Sequence, residues 1–216
     1  MEWMTILVRL LGGLGVSLSI FLITLLFSLP LGLLVSFGRM SSNVMVSGIT
    51  KVYISVMRGT PLMLQLFVVY YGPYYLLHIS LHPSYRIFAV YIGFVVNYAA
   101  YFAEIYRSGI KSMDGGQVEA ARILDYGKWS CFFRILFPQV WKNILPSITN
   151  EVITLVKDTS LAFSISVMEM FTTAKAISSS ESSLAPLVMA GILYYLFNFV
   201  VAFVMEQCEK KLNYYH

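Results

Sequence analysis

Charge is what this sequence has least of. Only 12% of its 216 residues are Asp, Glu, Lys or Arg, about half the share of an ordinary globular domain, whereas 58% are hydrophobic. Charged residues are missing altogether from 10–38, 59–85 and 182–205. Each of these runs exceeds the roughly 20 apolar residues that take a helix across about 30 Å of hydrocarbon. A fourth run, 87–103, is near the lower limit and ends at Glu104. This pattern excludes a water-soluble protein and leaves a chain that crosses a membrane several times. Cysteine is scarce too: Cys131 and Cys208 fall in segments expected on the cytoplasmic side, as free thiols. No G-x-x-x-x-G-K-[ST] phosphate loop occurs, so the chain carries no ATP site of that type. The histidines, His78, His82 and His216, lie outside the expected spans. Within the spans there is then no Ser/His, Cys/His or metal-ligand constellation, which argues against an intramembrane enzyme.

The runs predict an all-α membrane protein with about five spanning helices, over 12–37, 59–77, 86–108, 143–163 and 185–207, in a single membrane domain covering 1–216. The first run is too long for the apolar part of a cleaved signal peptide and no small-x-small site follows it, so it is expected to stay. Met1–Leu11 and 39–57 read as interfacial pieces. Thr60-Pro61 reads as a helix start, Gly72-Pro73 as a turn, and Ser178–Ser183 as a flexible polar connection. With the N-terminus outside and the C-terminus in the cytoplasm, eleven Lys and Arg fall on inner segments and three (Arg9, Arg86 and Lys175) on outer ones. That satisfies the positive-inside rule. The net charge of +4 then reflects topology, and no nucleic-acid partner is needed to explain it.

Polar residues inside the spans are the informative ones, since a charge at mid-membrane costs about 2.5–3.5 kcal/mol on insertion scales. EVITLVKDTSLAF (151–163) sets Lys157 beside Asp158. Neighbours on a helix point about 100° apart and cannot simply pair, so each needs its own partner in a protein-lined interior. Thr154 shares a stripe with both. The third span offers a complementary face in Asn97, Tyr101, Glu104 and Ser108. Asn97, Tyr101, Glu104, Thr154, Lys157 and Asp158 are therefore the expected substrate-contacting set. The competing reading is structural: Glu104 paired with Arg107 or Arg58, and Lys157 with Glu151 or Glu169. His78 and His82 have helical metal-pair spacing, but beside Pro83 in an outer loop they read as a chance pair. Tyr70, Tyr71, Tyr74 and Tyr75 read as interfacial anchors, and glycines 12, 13, 15 and 32 as sites of close helix packing.

The largest inner loop, about 111–141, holds a short helix by composition, and here the sequence resembles a known family. Glu119-Ala120-Ala121 is followed at the right distances by Asp125, Ile135, Phe137 and Pro138. This is similar to the EAA-x3-G-x9-I-x-L-P loop of membrane subunits of ATP-binding-cassette importers, with Asp125 in place of the Gly and Phe137 in place of the Leu. Gly127 is the expected substitute for the missing turn glycine. RGTPLMLQLFVVYYG (58–72), AYFAEIYRSGIKSM (100–113), GQVEAAR (116–122), FPQVWKNILPSITN (137–150) and LVKDTSLAFSI (155–165) resemble, in order and spacing, the polar amino-acid branch (the histidine/glutamine/arginine/cystine-type permeases).

The resemblance implies a type I importer permease fold in the bacterial cytoplasmic (inner) membrane, with no catalysis on this chain. It implies ABC ATPase subunits as partners, binding ATP and Mg; a second permease subunit, identical or similar; an extracytoplasmic substrate-binding protein; and an amino-acid substrate. It assigns Gln117, Glu119, Ala120, Ala121 and Arg122 to coupling with the ATPase, with the two alanines small enough for close approach. The alternative from the charges alone is an ion-coupled secondary transporter or channel subunit, although no internal repeat is visible.

Overall fold

The computed structural model describes residues 3–212, and among these there is helix and no strand. Met1, Glu2 and His216 lie outside the described residues. Helix α1 (Trp3–Arg39) is continuous through the segment expected to be interfacial, because nothing between Trp3 and Leu11 breaks a helix. Its buried stripe is mostly small: Gly13, Ser17, Thr24, Ser28, Gly32 and Ser36. Small residues at helical spacing let a neighbouring backbone come close. A Cβ added to Gly32 would sit 2.8 Å from Cβ of Phe102 on α4 (Tyr85–Lys111), and one on Gly13 would sit 2.8 Å from Cα of Met170. Gly12 and Gly15, expected to pack in the same way, have nothing within 4 Å. They point away from the seam.

The segment after α1 is α2 (Val44–Gly59), capped by Asn43, whose side chain accepts from the amides of Met45 and Val46. α3 (Leu62–Leu77) follows at a bend of 111°. Thr60 does not cap α3. Its hydroxyl donates back to the Val56 carbonyl and accepts from Gln65 Nε2. Nor does Gly72-Pro73 make a turn, since α3 runs through it to His78 in a left-handed conformation (φ 53°). Proline at 73 leaves the Val69 carbonyl without its ladder donor, and Tyr85 Oη fills that place at 3.1 Å. α3 ends at His78 and residues 79–82 are not helical, so the two histidines do not share a helix face, and His82 Nδ1 is engaged with Ser84 Oγ at 2.7 Å. Tyr70, Tyr71, Tyr74 and Tyr75 form a chain of ring contacts near the C-terminal end of α3.

Beyond α4 come α5 (Gly115–Ile123), α6 (Lys128–Cys131), a π-helical turn (Phe132–Leu136) and α7 (Phe137–Asp158), which continues as a 3-10 segment (Thr159–Ile165). α8 (Met170–Glu181) precedes α9 (Ala185–Leu212). Ser178–Glu181, expected as loose chain, is the last turn of α8, which ends at Ser182 with φ 48°. α1, α4 and α9 are long and apolar enough to cross a membrane, and the bent α2–α3 pair makes a fourth such crossing if taken as one. α7 corresponds to the remaining expected span and is less apolar, because one face is polar. The main core lies among α1, α3, α4 and α7, around Phe94, Phe102, Leu66 and Leu155. At the crossing of α4 and α7 a Cβ on Gly109 would fall 2.1 Å from Ile144 Cγ2. These two helices touch there, which places their polar faces edge to edge.

Candidate functional site

α7 presents Asn143, Ser147, Glu151, Thr154 and Asp158 along one stripe, three or four residues apart, and α4 presents Asn97, Tyr101, Glu104 and Ser108. Between the stripes lie two cavities that share Tyr101 and Glu151. One, about 310 Å³, is lined by Arg58, Glu104, Ser108 and Asn143 among others. The second, about 240 Å³, is lined by Thr60, Asn97, Tyr98, Thr154 and Asp158 among others. The α2–α3 corner supplies Arg58, whose guanidinium carbon stands 5.3 Å from the Tyr101 ring centroid, a cation–π contact.

Of the six expected contact residues, Asn97, Tyr101, Thr154 and Asp158 line the second cavity, and Glu104 with Tyr101 lines the first. Lys157 lines neither and is exposed, turned away from Asp158 by the helical step. Glu104 is held by Arg107 in an ion pair one turn away. Asn97 is a pin: its Nδ2 donates to the Met57 carbonyl at 3.0 Å and to Gln65 Oε1 at 2.9 Å, which fixes the α2–α3 corner. Asp158 Oδ2 accepts from Tyr98 Oη at 2.7 Å. Sequence reading missed Tyr98 because it belongs to the apolar stripe with Phe94 and Phe102. The available signal was its hydroxyl, since a tyrosine 2% exposed requires a polar partner. Glu151 and Arg58 were also left out, although Glu151 is on the stripe of Thr154 and Asp158. Glu169 serves its own helix cap and Tyr194, and does not take up Lys157.

On the loop, Glu119-Ala120-Ala121 lies within helix α5. Glu119, Ala120 and Arg122 are exposed. Ala121 is 2% exposed and packs with Cys131, Phe132 and Leu136, so it is not on the outer face where it was expected. Gln117 also turns inward, to Gln139. At 100° per residue, 117 and 121 fall opposite 119 and 122. The outer face instead continues into Ile123, 85% exposed, and Leu124, 71% exposed. Both thiols are free, Cys131 buried and Cys208 exposed. Among the described residues no group of three or more His, Cys, Asp or Glu is placed to hold a metal ion.

Residues 28–214 match the family of binding-protein-dependent transport system inner membrane components. The chain belongs to this family. It is 35% identical over 205 residues to the arginine transport system permease protein ArtQ of Bacillus subtilis, covering 94% of this chain and 92% of that one. It is 38% identical over 207 residues to the L-cystine transport system permease protein TcyL of the same organism, covering 93% and 85%. Among solved structures, an amino acid ABC transporter crystallised with histidines superposes with a TM-score of 0.85 at 26% identity, over 98% of this chain and 99% of that one. The MetNI methionine ABC transporter superposes at 0.72 with 15% identity, over 98% and 99%, a likeness of fold alone.

Asp125 stands where the loop pattern this sequence resembles has a glycine, and its backbone geometry gives a reason for a glycine there. α5 closes with the amide of Tyr126 donating to the Ala121 carbonyl and that of Asp125 to the Arg122 carbonyl, both at 3.0 Å, a Schellman ending that requires a left-handed residue at 125. Asp125 adopts it, with φ 58°. Gly127 does not take over the turn: its φ is −61° and it begins α6. Left-handed backbone is strained for residues with a Cβ. Asp125→Gly is therefore expected to stabilise the protein by about 1 kcal/mol, read as a raised melting temperature in detergent. A lowered one would show that the Asp125 side chain has a role the turn does not explain.

Proposed function

We propose that this chain is the membrane subunit of an ATP-driven amino-acid importer, forming the pathway while a separate ATPase hydrolyses ATP with Mg. The observation that carries this reading is the polar seam between α4 and α7 in a chain of this family, with α7 reaching down to the helix-bearing loop. A zwitterion suits the seam. Arg58 offers a cation for a carboxylate, and Glu151 and Asp158 offer anions for an ammonium group. Tyr101, Thr154 and Glu104 contribute hydrogen bonds and field, and Lys157 would act only if a second subunit closes over its exposed face. Family membership supports this reading over an ion-coupled secondary transporter. Two permease subunits, identical or similar, would enclose the pathway. The binding protein would deliver from the side where the N-terminus lies, and the ATPases would dock on the cytoplasmic side, where the positive charges collect.

The exposed face of α5, with Glu119, Ala120, Arg122 and the apolar Ile123 and Leu124, is the surface for the ATPase. Glu119→Lys reverses a charge there without touching a span. Retention of the ATPase through purification is expected to weaken roughly tenfold, or its hydrolysis to run without uptake. Full assembly with normal ATP-dependent amino-acid uptake in proteoliposomes would remove Glu119 from the mechanism. Absence of ATP-dependent uptake by the assembled wild-type complex would remove the importer reading itself.

A further inference from the structure

Gln117 of α5 and Gln139 of α7 bind each other in both directions. Gln117 Nε2 donates to Gln139 Oε1 at 3.0 Å, and Gln139 Nε2 returns the bond to Gln117 Oε1 at 2.9 Å. Gln139 Nε2 also donates to the Ile135 carbonyl at 2.9 Å, inside the π-helical turn. Both side chains are half-buried, where a paired amide holds more firmly than it does in water. We propose that this amide pair is the joint that passes displacement of the loop helix into α7, making Gln117 and Gln139 positioning residues for transport. The proposal rests on the coupling role given to α5 above and adds the route by which its motion reaches the seam.

The backbone is a poor alternative lever. Between 117 and 139 it leaves α5 at left-handed Asp125, crosses the non-helical link at Tyr126 and Gly127, and widens into the π turn of the helical run that begins at Lys128. Each of these can absorb a shift. The small core around Ala121, Cys131 and Leu136 holds α5 in place, but apolar contact is non-directional and permits sliding. A two-way amide pair resists displacement along both of its bonds. α7 then carries the motion onward: Asp158 lies nineteen residues beyond Gln139, about 29 Å along the helix, which stays helical through Pro146. Motion entering at Gln139 is thereby delivered to Glu151, Thr154 and Asp158.

The test uses the full complex, with ATPase and binding protein, in proteoliposomes. Amino-acid uptake per ATP hydrolysed and ATPase retention are measured for Gln117→Ala, Gln139→Ala and the double variant. The expected result is normal retention, continued hydrolysis, and a roughly five- to tenfold fall in uptake per ATP in each single variant. The double variant should fall no further, because both changes break the same pair. If Gln139→Ala does not assemble, Gln117→Ala decides alone, since its side-chain amide bonds to Gln139. An unchanged ratio, losses that multiply in the double variant, or loss of the ATPase in Gln117→Ala would each overturn the joint. A wild-type complex without ATP-dependent uptake overturns the importer reading and this inference with it. Normal wild-type uptake with unchanged variants overturns this inference alone.

Discussion

Glu169→Ala is expected to cost the protein about 3–5 kcal/mol and to show as a collapse in yield and melting temperature, with no folded fraction of normal stability. Glu169 is 0% exposed at the N-terminus of α8, where four backbone N–H groups have no partner inside the helix. Its carboxylate accepts from the amides of Phe171 and Thr172 at 2.7 and 2.6 Å and from the Thr172 hydroxyl at 2.8 Å. Tyr194 Oη of α9 donates to it at 2.8 Å, and Ser17 Oγ of α1 at 3.4 Å. One side chain thus ties three helices together, at the place where Gly13 lets α1 touch the backbone of Glu169 and Met170. Alanine removes the cap, worth about 1 kcal/mol, and strands buried donors at about 1–3 kcal/mol each. Glu169→Gln keeps an acceptor for the cap and is expected to lose about half as much. Thermal melting of purified protein in detergent measures both. A Glu169→Ala variant that melts like wild type would show that water or a rearranged cap replaces the carboxylate.

The second large effect is expected at Asp158. Asp158→Asn leaves an oxygen able to accept from Tyr98 Oη, so folding, assembly and ATP hydrolysis should stay near wild type, within about 1 kcal/mol of stability. If the carboxylate holds a substrate ammonium group, uptake should fall roughly 10- to 100-fold, since a hydrogen bond to a charged group is worth about 1.5–3 kcal/mol and 1.36 kcal/mol is tenfold in rate. A shift in preference among amino acids would report the same contact. A purely structural Asp158 predicts the opposite division, with lowered melting temperature and retained uptake. Assembly, melting and uptake measured on one preparation separate the two, and normal uptake with unchanged selectivity would sink the substrate contact.

These two carboxylates also show where sequence reading reached and where it stopped. Asp158 was visible because it interrupts an apolar run at helical spacing from Thr154 and Glu151. Glu169 was read only as a possible partner for Lys157, because charge alone says nothing about which donors converge on it. The α4 and α7 stripes, the loop helix around Glu119 and the family motifs were legible, since a period of 3.6 and the cost of charge in hydrocarbon act residue by residue along the chain.

Sequence by itself determined the membrane class, the long helices α1, α4, α7 and α9, the family and the polar stripes of α4 and α7. Tertiary structure decided which face meets which. It turned Lys157 outward while Asp158 found Tyr98, and made Asn97 a pin for the α2–α3 bend. It set Gln117 and Ala121 inward and left Ile123 and Leu124 outside. It also joined Ser17, Glu169 and Tyr194 across three helices. The physical reason is range. Hydrophobic length and helical period are written in neighbouring residues, whereas the partner of a buried polar group comes from chain 25 to 152 residues away, and only packing brings the two together.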